Sequence, residues 1–266
     1  MSSTHIREGV SYRFAEAIVR LPGRSVVDGL HAHERGQPDA DQFLLEHKIY
    51  TEELERAGVH IEALPPLEAF PDSVFIEDAA LCLPEGTVVL RPGAPSRTGE
   101  AEDVAVSCFG LGHRVQRLPA GGFVDGGDVL VTDSAILIGL SERTDQAGFD
   151  RLNDILCDWG YSVQAVHTPE HVLHFKSDCC VLDSETILAT SRLANAECFA
   201  PFRVLTVPQG EEAAANSIRV NDTVLVPAGF PATTELITQT NFSVKTVPAR
   251  QAALLDGGLS CQSLRF

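Results

Sequence analysis

A short pattern that ends in proline recurs five times along the chain. A glycine or aromatic residue stands shortly before valine, or isoleucine in the first copy, and two further residues, leucine or valine, and proline follow. The copies are VHIEALPP (59–66), HRVQRLPA (113–120), FRVLTVPQ (202–209), FSVKTVPA (242–249) and a degenerate SVQAVHTP (162–169). Because proline has no N–H to give to a sheet, each copy predicts a short strand that its proline ends.

After each predicted strand come a polar turn and then two apolar runs that flank a tight turn, which is typical of a β-hairpin. The predicted hairpins lie at 74–93, 126–140, 175–191 and 216–229. The fifth would be formed by residues 257–266 with an N-terminal strand at 17–22. The two ends of the chain would thereby close a ring.

Helical periodicity fills the segments between a hairpin and the next strand. Apolar residues recur at steps of three and four over 39–58 and 144–160, where Thr144 or Asp145 can cap the helix. Shorter helix candidates lie at 99–110 and 232–240, and the segment 192–201 is too short for more than a brief helical turn. The sequence therefore predicts an α/β protein with five repeats of strand, hairpin and helix, forming one domain over residues 1–266.

Polar residues concentrate in the turns between strand and hairpin, which such a ring would gather at one end. They are Asp72, Glu77, Asp78, Asp125, Asp128, His174, Asp256 and Cys261. A cysteine and a histidine among carboxylates suit a cationic ligand. A thiolate could attack an electron-poor carbon while histidine passes a proton to the leaving group and later takes one from water. An ordinary thiol titrates near about 8.5, so Cys261 would need a positive charge from His174 or the substrate.

Two of these residues also have a purely structural interpretation. A lone cysteine on an apolar strand is more often a core residue than a nucleophile, and we expect Leu259, Cys261 and Ser263 to alternate along the last strand. His174 fits a core histidine equally well. His171 and His174 would bind a metal from one face of a helix, but the strand predicted there puts them on opposite faces, so no metal is expected.

Some of the carboxylates also have a purely structural interpretation. Asp72 follows proline and Asp125 precedes two glycines, so both fit simple turn formers. Glu77 and Asp78 lie within the apolar run VFIEDAAL, where two acids are costly unless they have partners.

Composition limits the function further. A net charge of −17 excludes a general nucleic-acid binder, and it fits both a cationic small-molecule ligand and an acidic protein kept soluble by its charge. The seven cysteines form no C-x-x-C pair, which argues against a disulfide framework or a zinc ribbon and favours a reducing compartment. No apolar run is long enough for a membrane helix and no signal peptide is recognisable, so we expect a cytoplasmic protein.

Six motifs in order, FPDSVFIEDAALC, RPGAPSRTGE, DGGDVL, GLSERT, VLHFKSD and DGGLSC, resemble those of the dimethylarginine dimethylaminohydrolases of the guanidino-group-modifying superfamily. The resemblance runs from residue 24 to the last residue. It implies a five-bladed α/β propeller, the pentein fold, which agrees with the five repeats. It also implies hydrolysis of methylated arginine to citrulline and a methylamine without a cofactor.

The resemblance assigns a role to each matching position. It implies that Cys261 is the nucleophile that forms a covalent thiouronium adduct, that His174 is the general acid and base, and that Asp125 orients His174 and the substrate. The implied substrate-binding set is Leu30 and Leu255 through their backbones, Asp72 at the α-amino group, Glu77 and Asp78 at the guanidinium, and Arg97 and Arg143 at the carboxylate. Leu30 lies in a loop expected to act as a lid.

Rival functions stay open at this point. An arginine deiminase is usually longer, and agmatine would leave Arg97 and Arg143 without a carboxylate. A non-catalytic arginine-binding protein would have no need of Cys261, His174 and Asp125. We expect a small cationic guanidino amino acid as the partner, with a homodimer as the candidate assembly.

Overall fold

The computed structural model describes residues 7–32, 35–170 and 172–266. Its strands are β1 (Glu16–Arg20), β2 (His60–Leu64), β3 (Ala80–Leu83), β4 (Gly86–Val89), β5 (Val115–Arg117), β6 (Val129–Val131), β7 (Ile136–Leu140), β8 (Val163–His167), β9 (Cys179–Val181), β10 (Thr186–Ala189), β11 (Arg203–Thr206), β12 (Ile218–Val220), β13 (Thr223–Pro227), β14 (Ser243–Val247) and β15 (Ser263–Arg265). The helices are α1 (Ala40–Arg56), α2 (Glu100–Gly110), α3 (Gln146–Asp158), α4 (Pro231–Thr238) and α5 (Arg250–Leu254).

Five sheets of three strands, which we call blades, make up the β-structure of the described residues. Their strand orders are β15-β1-β2, β3-β4-β5, β6-β7-β8, β9-β10-β11 and β12-β13-β14. In every blade the first pair is antiparallel and the second is parallel. Each predicted hairpin therefore takes its third strand from the next repeat, across a parallel connection that in four of the five cases contains a helix of eight residues or more.

Apolar clusters join neighbouring blades in a closed order. One cluster joins the β3 and β6 blades, and corresponding clusters join each blade to the next. The ring closes because Leu225 of the last blade packs in one cluster with Ala17 of the first, together with Tyr50 of α1. Strands β1 and β15 pair antiparallel, with Ala17 opposite Arg265. The predicted five-bladed α/β propeller, closed by the two chain ends, is confirmed.

Two helix starts follow from the local sequence. The Asp39 side chain accepts a hydrogen bond from the N–H of Gln42 at 2.9 Å, which caps α1. Asp145 caps α3 by accepting from the N–H of Gly148 at 2.7 Å. Of the two predicted caps, Asp145 is therefore the one used, and the buried Thr144 serves another purpose described below.

Two residues that were predicted on strands lie outside them. Cys261 lies in a 3-10 turn, Ser260–Gln262, and the final strand begins only at Ser263. His174 also lies outside any strand, since β8 ends at His167 and a 3-10 turn begins at Phe175. His174 keeps extended backbone directly before its turn, and in both places hydrogen bonds to side chains of other repeats hold the 3-10 turn. His171 lies outside the described residues. The five-residue helix α5 was not predicted.

None of the helices in the described residues has the length and apolar character needed to cross a membrane. All seven cysteines lie in the described part of the chain, and each is a free thiol.

Candidate active site

A 3-10 turn precedes the hairpin of every repeat, and these turns meet at one end of the ring. Turn one includes Ile76–Ala79, and turns two to five are Gly126–Asp128, Phe175–Ser177, Glu212–Ala215 and Ser260–Gln262. Turn one contacts turns two and five, and turn three contacts turns two and four. The predicted convergence of the polar turns is confirmed.

Asp125 and His174 form the central pair of this end. Each stands just before a 3-10 turn with extended backbone, so its side chain projects towards the neighbouring turn. His174 Nε2 lies 2.9 Å from Asp125 Oδ2, and both residues are buried. The other carboxylate oxygen of Asp125 accepts the N–H of Gly93 at 2.7 Å. Asp125 is thus held on one side and binds the imidazole on the other.

Asp78 brings a second carboxylate to the same place. Its Oδ1 accepts the N–H of Gly127 at 2.9 Å, and its Oδ2 binds Nη1 of Arg97 at 2.5 Å. The Arg97 guanidinium also binds Glu100 and the carbonyl oxygen of Phe75. Arg97 is 5% exposed. In this structure its single positive charge is therefore shared by the two buried acids Asp78 and Glu100, and burial raises the pKa of Glu100.

These charges set the protonation state of His174. Burial by itself lowers the pKa of a histidine, but Asp78, the hydrogen bond to Asp125 and the charge of Asp128 together raise the pKa of His174 to about 9. His174 and Arg97 in turn outweigh the effect of burial on Asp78 and lower the pKa of that carboxyl. At neutral pH the imidazole is a cation that can donate a proton.

Cys261 also lies among carboxylates, but for a thiol these charges favour the neutral form. Its side chain is 8% exposed, and burial together with the negative charges of Glu77 and Asp78 raises the pKa of the thiol to about 12. The nearest hydroxyl is that of Ser260, whose Oγ lies 3.9 Å from the sulfur. The thiol is therefore protonated at neutral pH unless a cation enters the site.

Glu77 faces the interior of the ring, although it is adjacent in sequence to Asp78. Its carboxylate binds Lys176 Nζ at 2.6 Å, Arg265 at 3.1 Å and the Ser260 hydroxyl at 2.9 Å. These four residues line a central cavity of about 110 Å³. The two acids that the sequence predicted to need partners thus have them, on opposite sides of turn one.

The remaining predicted residues surround the pair on the outer side. Asp72 is 5% exposed and accepts the N–H of Leu30 at 2.9 Å, which connects the predicted lid loop to turn one. Burial raises the pKa of Asp72 against the opposing charges of Arg97 and Arg143. The Arg143 guanidinium has no hydrogen-bond or ion-pair partner within 7–32, 35–170 and 172–266. Leu255 is buried beside this loop, where its Cδ1 lies 3.0 Å from the position of a β-carbon added to Gly29.

Asp78, Asp125 and His174 also have the composition of a cation site, since one ligand atom of each lies within 4.8 Å of the others. Arg97 already binds Asp78, and His174 carries a positive charge below about pH 9. Both cations oppose a divalent metal in the same place, so we assign none.

Two residues complete the site without an assigned role in the sequence. Asp128 is 0% exposed and binds three donors close to the His174–Asp125 pair. Asn216 connects turns three and five, because its side chain accepts the N–H of Ser260 at 2.9 Å and donates to the carbonyl oxygen of Lys176 at 3.1 Å. The motif DGGD (125–128) marks Asp128 as a turn residue in the sequence, whereas no local sequence pattern indicates a role for Asn216.

Comparison with known proteins finds similar sequences over most of the chain. A family model described as "N,N dimethylarginine dimethylhydrolase, eukaryotic" matches residues 32–191. A dimethylarginine dimethylaminohydrolase from Pseudomonas aeruginosa is 39% identical over 255 residues, which cover 95% of this chain and 100% of that protein. One from Streptomyces coelicolor is 32% identical and covers 94% of this chain and 96% of its own.

Solved structures agree with the sequences. A cysteine-to-serine variant of the Pseudomonas aeruginosa protein complexed with citrulline matches with a TM-score of 0.92 at 37% identity, covering 96% of this chain and 100% of its own. A histidine-to-glycine variant of a dimethylarginine dimethylaminohydrolase, an adduct with S-methyl-L-thiocitrulline, also has a TM-score of 0.92, at 38% identity. It covers 95% of this chain and 100% of its own.

Proposed function

The chain belongs to the dimethylarginine dimethylaminohydrolase family, and we propose that it hydrolyses asymmetric dimethylarginine and monomethylarginine to citrulline and dimethylamine or methylamine. The observation that carries the proposal is the buried His174–Asp125 pair, 2.9 Å apart, beside Asp78 and on the turn cluster that contains Cys261. A solved citrulline complex and a solved S-methyl-L-thiocitrulline adduct of dimethylarginine dimethylaminohydrolases support the same product and a covalent step.

The first half-reaction begins with the substrate cation. The guanidinium binds Asp78, and its positive charge lowers the pKa of the Cys261 thiol, which the neighbouring acids otherwise raise to about 12. Because His174 is already protonated, the thiol loses its proton to solvent, and the thiolate attacks the guanidinium carbon. His174, protonated below about pH 9, gives its proton to the departing dimethylamine, which leaves a thiouronium adduct on Cys261.

The second half-reaction uses the same groups in reverse. The neutral His174 takes a proton from water, and the hydroxide attacks the adduct carbon. Collapse of this intermediate breaks the carbon–sulfur bond, and the hydroxyl proton of the intermediate passes to the departing sulfur, which releases citrulline and restores the Cys261 thiol. Asp125 holds the imidazole in one orientation through both steps. One water is consumed, and no cofactor is required.

The amino-acid end of the substrate lies on the outer side of the turns. We assign its carboxylate to Arg143, whose guanidinium has no partner among the described residues, with Arg97 as the second arginine. Arg97 already pairs with Asp78 and Glu100, so it would bind the substrate carboxylate in addition to these two acids. The α-amino group is assigned to Asp72 and to backbone groups of Leu30 and Leu255.

Glu77 stays in the proposed substrate-binding set through its charge. Its carboxylate already holds Lys176 and Arg265, so the direct contact with the guanidinium falls to Asp78. The charge of Glu77 still acts on the Cys261 thiol and favours a cationic ligand there.

A substrate panel with citrulline detection tests the proposal. Wild-type protein is expected to release citrulline from asymmetric dimethylarginine and monomethylarginine, and not from agmatine. The Cys261→Ser variant should release none, whereas Cys157→Ser, which changes an exposed thiol on α3, should keep full activity. Full citrulline production by Cys261→Ser would contradict the mechanism. A preference for unmethylated arginine would instead favour a deiminase, and tight binding without turnover would favour a binding protein.

We further propose a cytoplasmic homodimer in which residues 1–266 act as one catalytic domain. Seven free thiols support a reducing compartment. The exposed face of α2 and the residue after it carry three apolar side chains, with Val106 71%, Phe109 74% and Leu111 41% exposed. Light scattering at micromolar concentration should give twice the monomer mass for the wild type and the monomer mass for Phe109→Glu. A monomeric wild type would contradict the dimer.

A further inference from the structure

Asp128 is the one fully buried carboxylate of turn two without a place in the proposed chemistry. It is 0% exposed and accepts three hydrogen bonds. Its Oδ2 binds the Ser141 hydroxyl at 2.6 Å and the Thr144 hydroxyl at 2.7 Å, and its Oδ1 binds the N–H of Phe175 at 2.8 Å. Within the described residues no cation pairs with it. A buried acid without a counter-ion is costly unless several donors surround it.

The hydroxyl groups of Ser141 and Thr144 connect Asp128 to two residues of the site. A hydroxyl has one proton, and both Ser141 and Thr144 give theirs to Asp128, so their oxygens are left to accept. The Thr144 oxygen accepts the N–H of Asp125 at 3.1 Å. The Ser141 oxygen accepts the N–H of Arg143 at 2.9 Å. One arm of the network therefore ends on the residue that binds His174, and the other on the proposed carboxylate anchor.

The third arm reaches His174 itself. Phe175 N–H, which donates to Asp128, belongs to the peptide that follows His174. Room for the carboxylate depends on Gly139, because a β-carbon there would lie 3.1 Å from Asp128 Oδ1. Three segments that are far apart in sequence are thus connected through a single carboxylate.

We propose that Asp128 is the positioning residue of this site, which sets the mutual geometry of Asp125, His174 and Arg143 for turnover of a methylated arginine. This inference rests on the proposed function. Asp128 does not touch the reacting atoms. It acts through Thr144, Ser141 and the peptide of Phe175, and its charge stabilises the protonated imidazole.

The test compares Asp128→Asn with wild type by steady-state kinetics on asymmetric dimethylarginine and by NMR titration of the His174 ring. We expect kcat to fall at least about tenfold, by analogy with the scale seen when the groups that orient a metal-binding histidine are removed. We also expect a lower His174 pKa, because one of its neighbouring acids is gone while Asp78 and Asp125 remain. This shift reports the direct effect of the Asp128 charge on the imidazole, and the Thr144 and Ser141 variants below test the positioning. The nearby cations Lys176 and Arg97 are present in both proteins, so they do not account for a difference in the His174 pKa.

Asp133→Asn is the matched control. Asp133 is a second buried aspartate of the same blade, 6% exposed, and it accepts hydrogen bonds from Gly9 and Ser11 rather than from the site. This variant should leave kcat and the His174 titration unchanged. A folded Asp128→Asn protein with wild-type kcat and an unshifted His174 pKa would overturn the inference.

If Asp128→Asn does not fold, variants of Thr144 and Ser141 test the inference instead. Thr144→Ala removes the connection to Asp125 and is expected to lower kcat, and Thr144→Ser should restore it. Ser141→Ala removes the connection to Arg143 and is expected to raise KM for the amino acid substrate. Equal kinetics of Thr144→Ala, Thr144→Ser and wild type would overturn the inference. The NMR titration needs no substrate, so it still reports on Asp128 if wild-type protein does not hydrolyse dimethylarginine.

Discussion

His174 Nε2 lies 2.9 Å from Oδ2 of Asp125, although the two residues are 49 positions apart and come from turns of different repeats. Each precedes a 3-10 turn that the next turn contacts. The propeller therefore builds the pair by repeating one local structure twice. Neither turn could form the pair by itself.

Removing the charge of Asp125 should shift the pH dependence of turnover. The pKa of His174 is raised to about 9, so the acid form is present below that pH and activity should fall as pH rises through it. In Asp125→Asn the hydrogen-bonded negative charge is lost. We expect the alkaline limb to move to lower pH and kcat to fall about 100-fold or more, as for loss of general acid catalysis.

The measurement is kcat against pH between about pH 6 and pH 11 for both proteins. Asp150→Asn, on the outer surface of α3, is the control and should overlay the wild type. An unchanged alkaline limb in Asp125→Asn would show that His174 is not the titrating acid.

The Cys261 thiol should be a poor nucleophile in the free protein. Burial, Glu77 and Asp78 raise its pKa to about 12, so little thiolate exists at neutral pH. In a Cys157→Ser background, alkylation of Cys261 by iodoacetamide should accelerate steadily up to about pH 10 without a plateau. Mass spectrometry of the Cys261 peptide gives the rate. A plateau near pH 7 would mean that the free protein already holds a thiolate.

The repeats could be predicted from the sequence because their signals are local. Proline ends each outer strand, apolar runs flank each hairpin turn, and helical periodicity marks α1 and α3. The blades themselves were harder to foresee, since each takes its third strand from the next repeat. The pairing of the chain ends followed from counting repeats, and the register Ala17–Arg265 confirms it.

The missed features depend on contacts between distant residues. Cys261 was predicted on a strand, but the N–H of Ser260 binds Asn216 and its hydroxyl binds Glu77, 44 and 183 positions away. Those two bonds hold the 3-10 turn that contains Cys261, and no local pattern encodes them. The position of Arg97 between two acids is a long-range contact of the same kind.

His47 should make the protein sensitive to acid. It is buried on α1, and neither ring nitrogen has a hydrogen-bond partner among the described residues. Burial lowers its pKa from 6.5 to about 4, so between these values the unfolded chain binds a proton that the folded protein does not. The free energy of unfolding therefore falls as the pH drops through this window, by about 2 kcal/mol at pH 5.

Urea unfolding of wild type and His47→Leu at pH 7 and pH 5 measures this effect. The variant should lack the extra loss of stability at pH 5. His60→Leu is the control, because His60 is exposed on β2 and should behave as wild type. Equal pH dependence in His47→Leu and wild type would assign the acid sensitivity to other groups.

Gly127 should be needed for the chemistry. A β-carbon there would lie 2.7 Å from His174 Nδ1 and 2.9 Å from Asp78 Oδ1, so a methyl group would separate the base from the carboxylate proposed to bind the guanidinium. At Gly126 a β-carbon would lie 1.9 Å from the backbone oxygen of Glu77, where turns one and two pack against each other. We therefore expect Gly127→Ala to lose turnover mainly by displacing side chains, and Gly126→Ala to lose the fold.

Thermal unfolding and citrulline release together separate these outcomes. Gly127→Ala should fall in activity far more than in melting temperature, whereas Gly126→Ala should lose both. Gly110→Ala is the control, since a β-carbon at this last position of α2 meets nothing within 4 Å. It should keep activity and gain up to about 1 kcal/mol from helix propensity. Wild-type turnover in Gly127→Ala would mean that His174 and Asp78 need not stand this close, and would remove Asp78 from the proposed guanidinium contact.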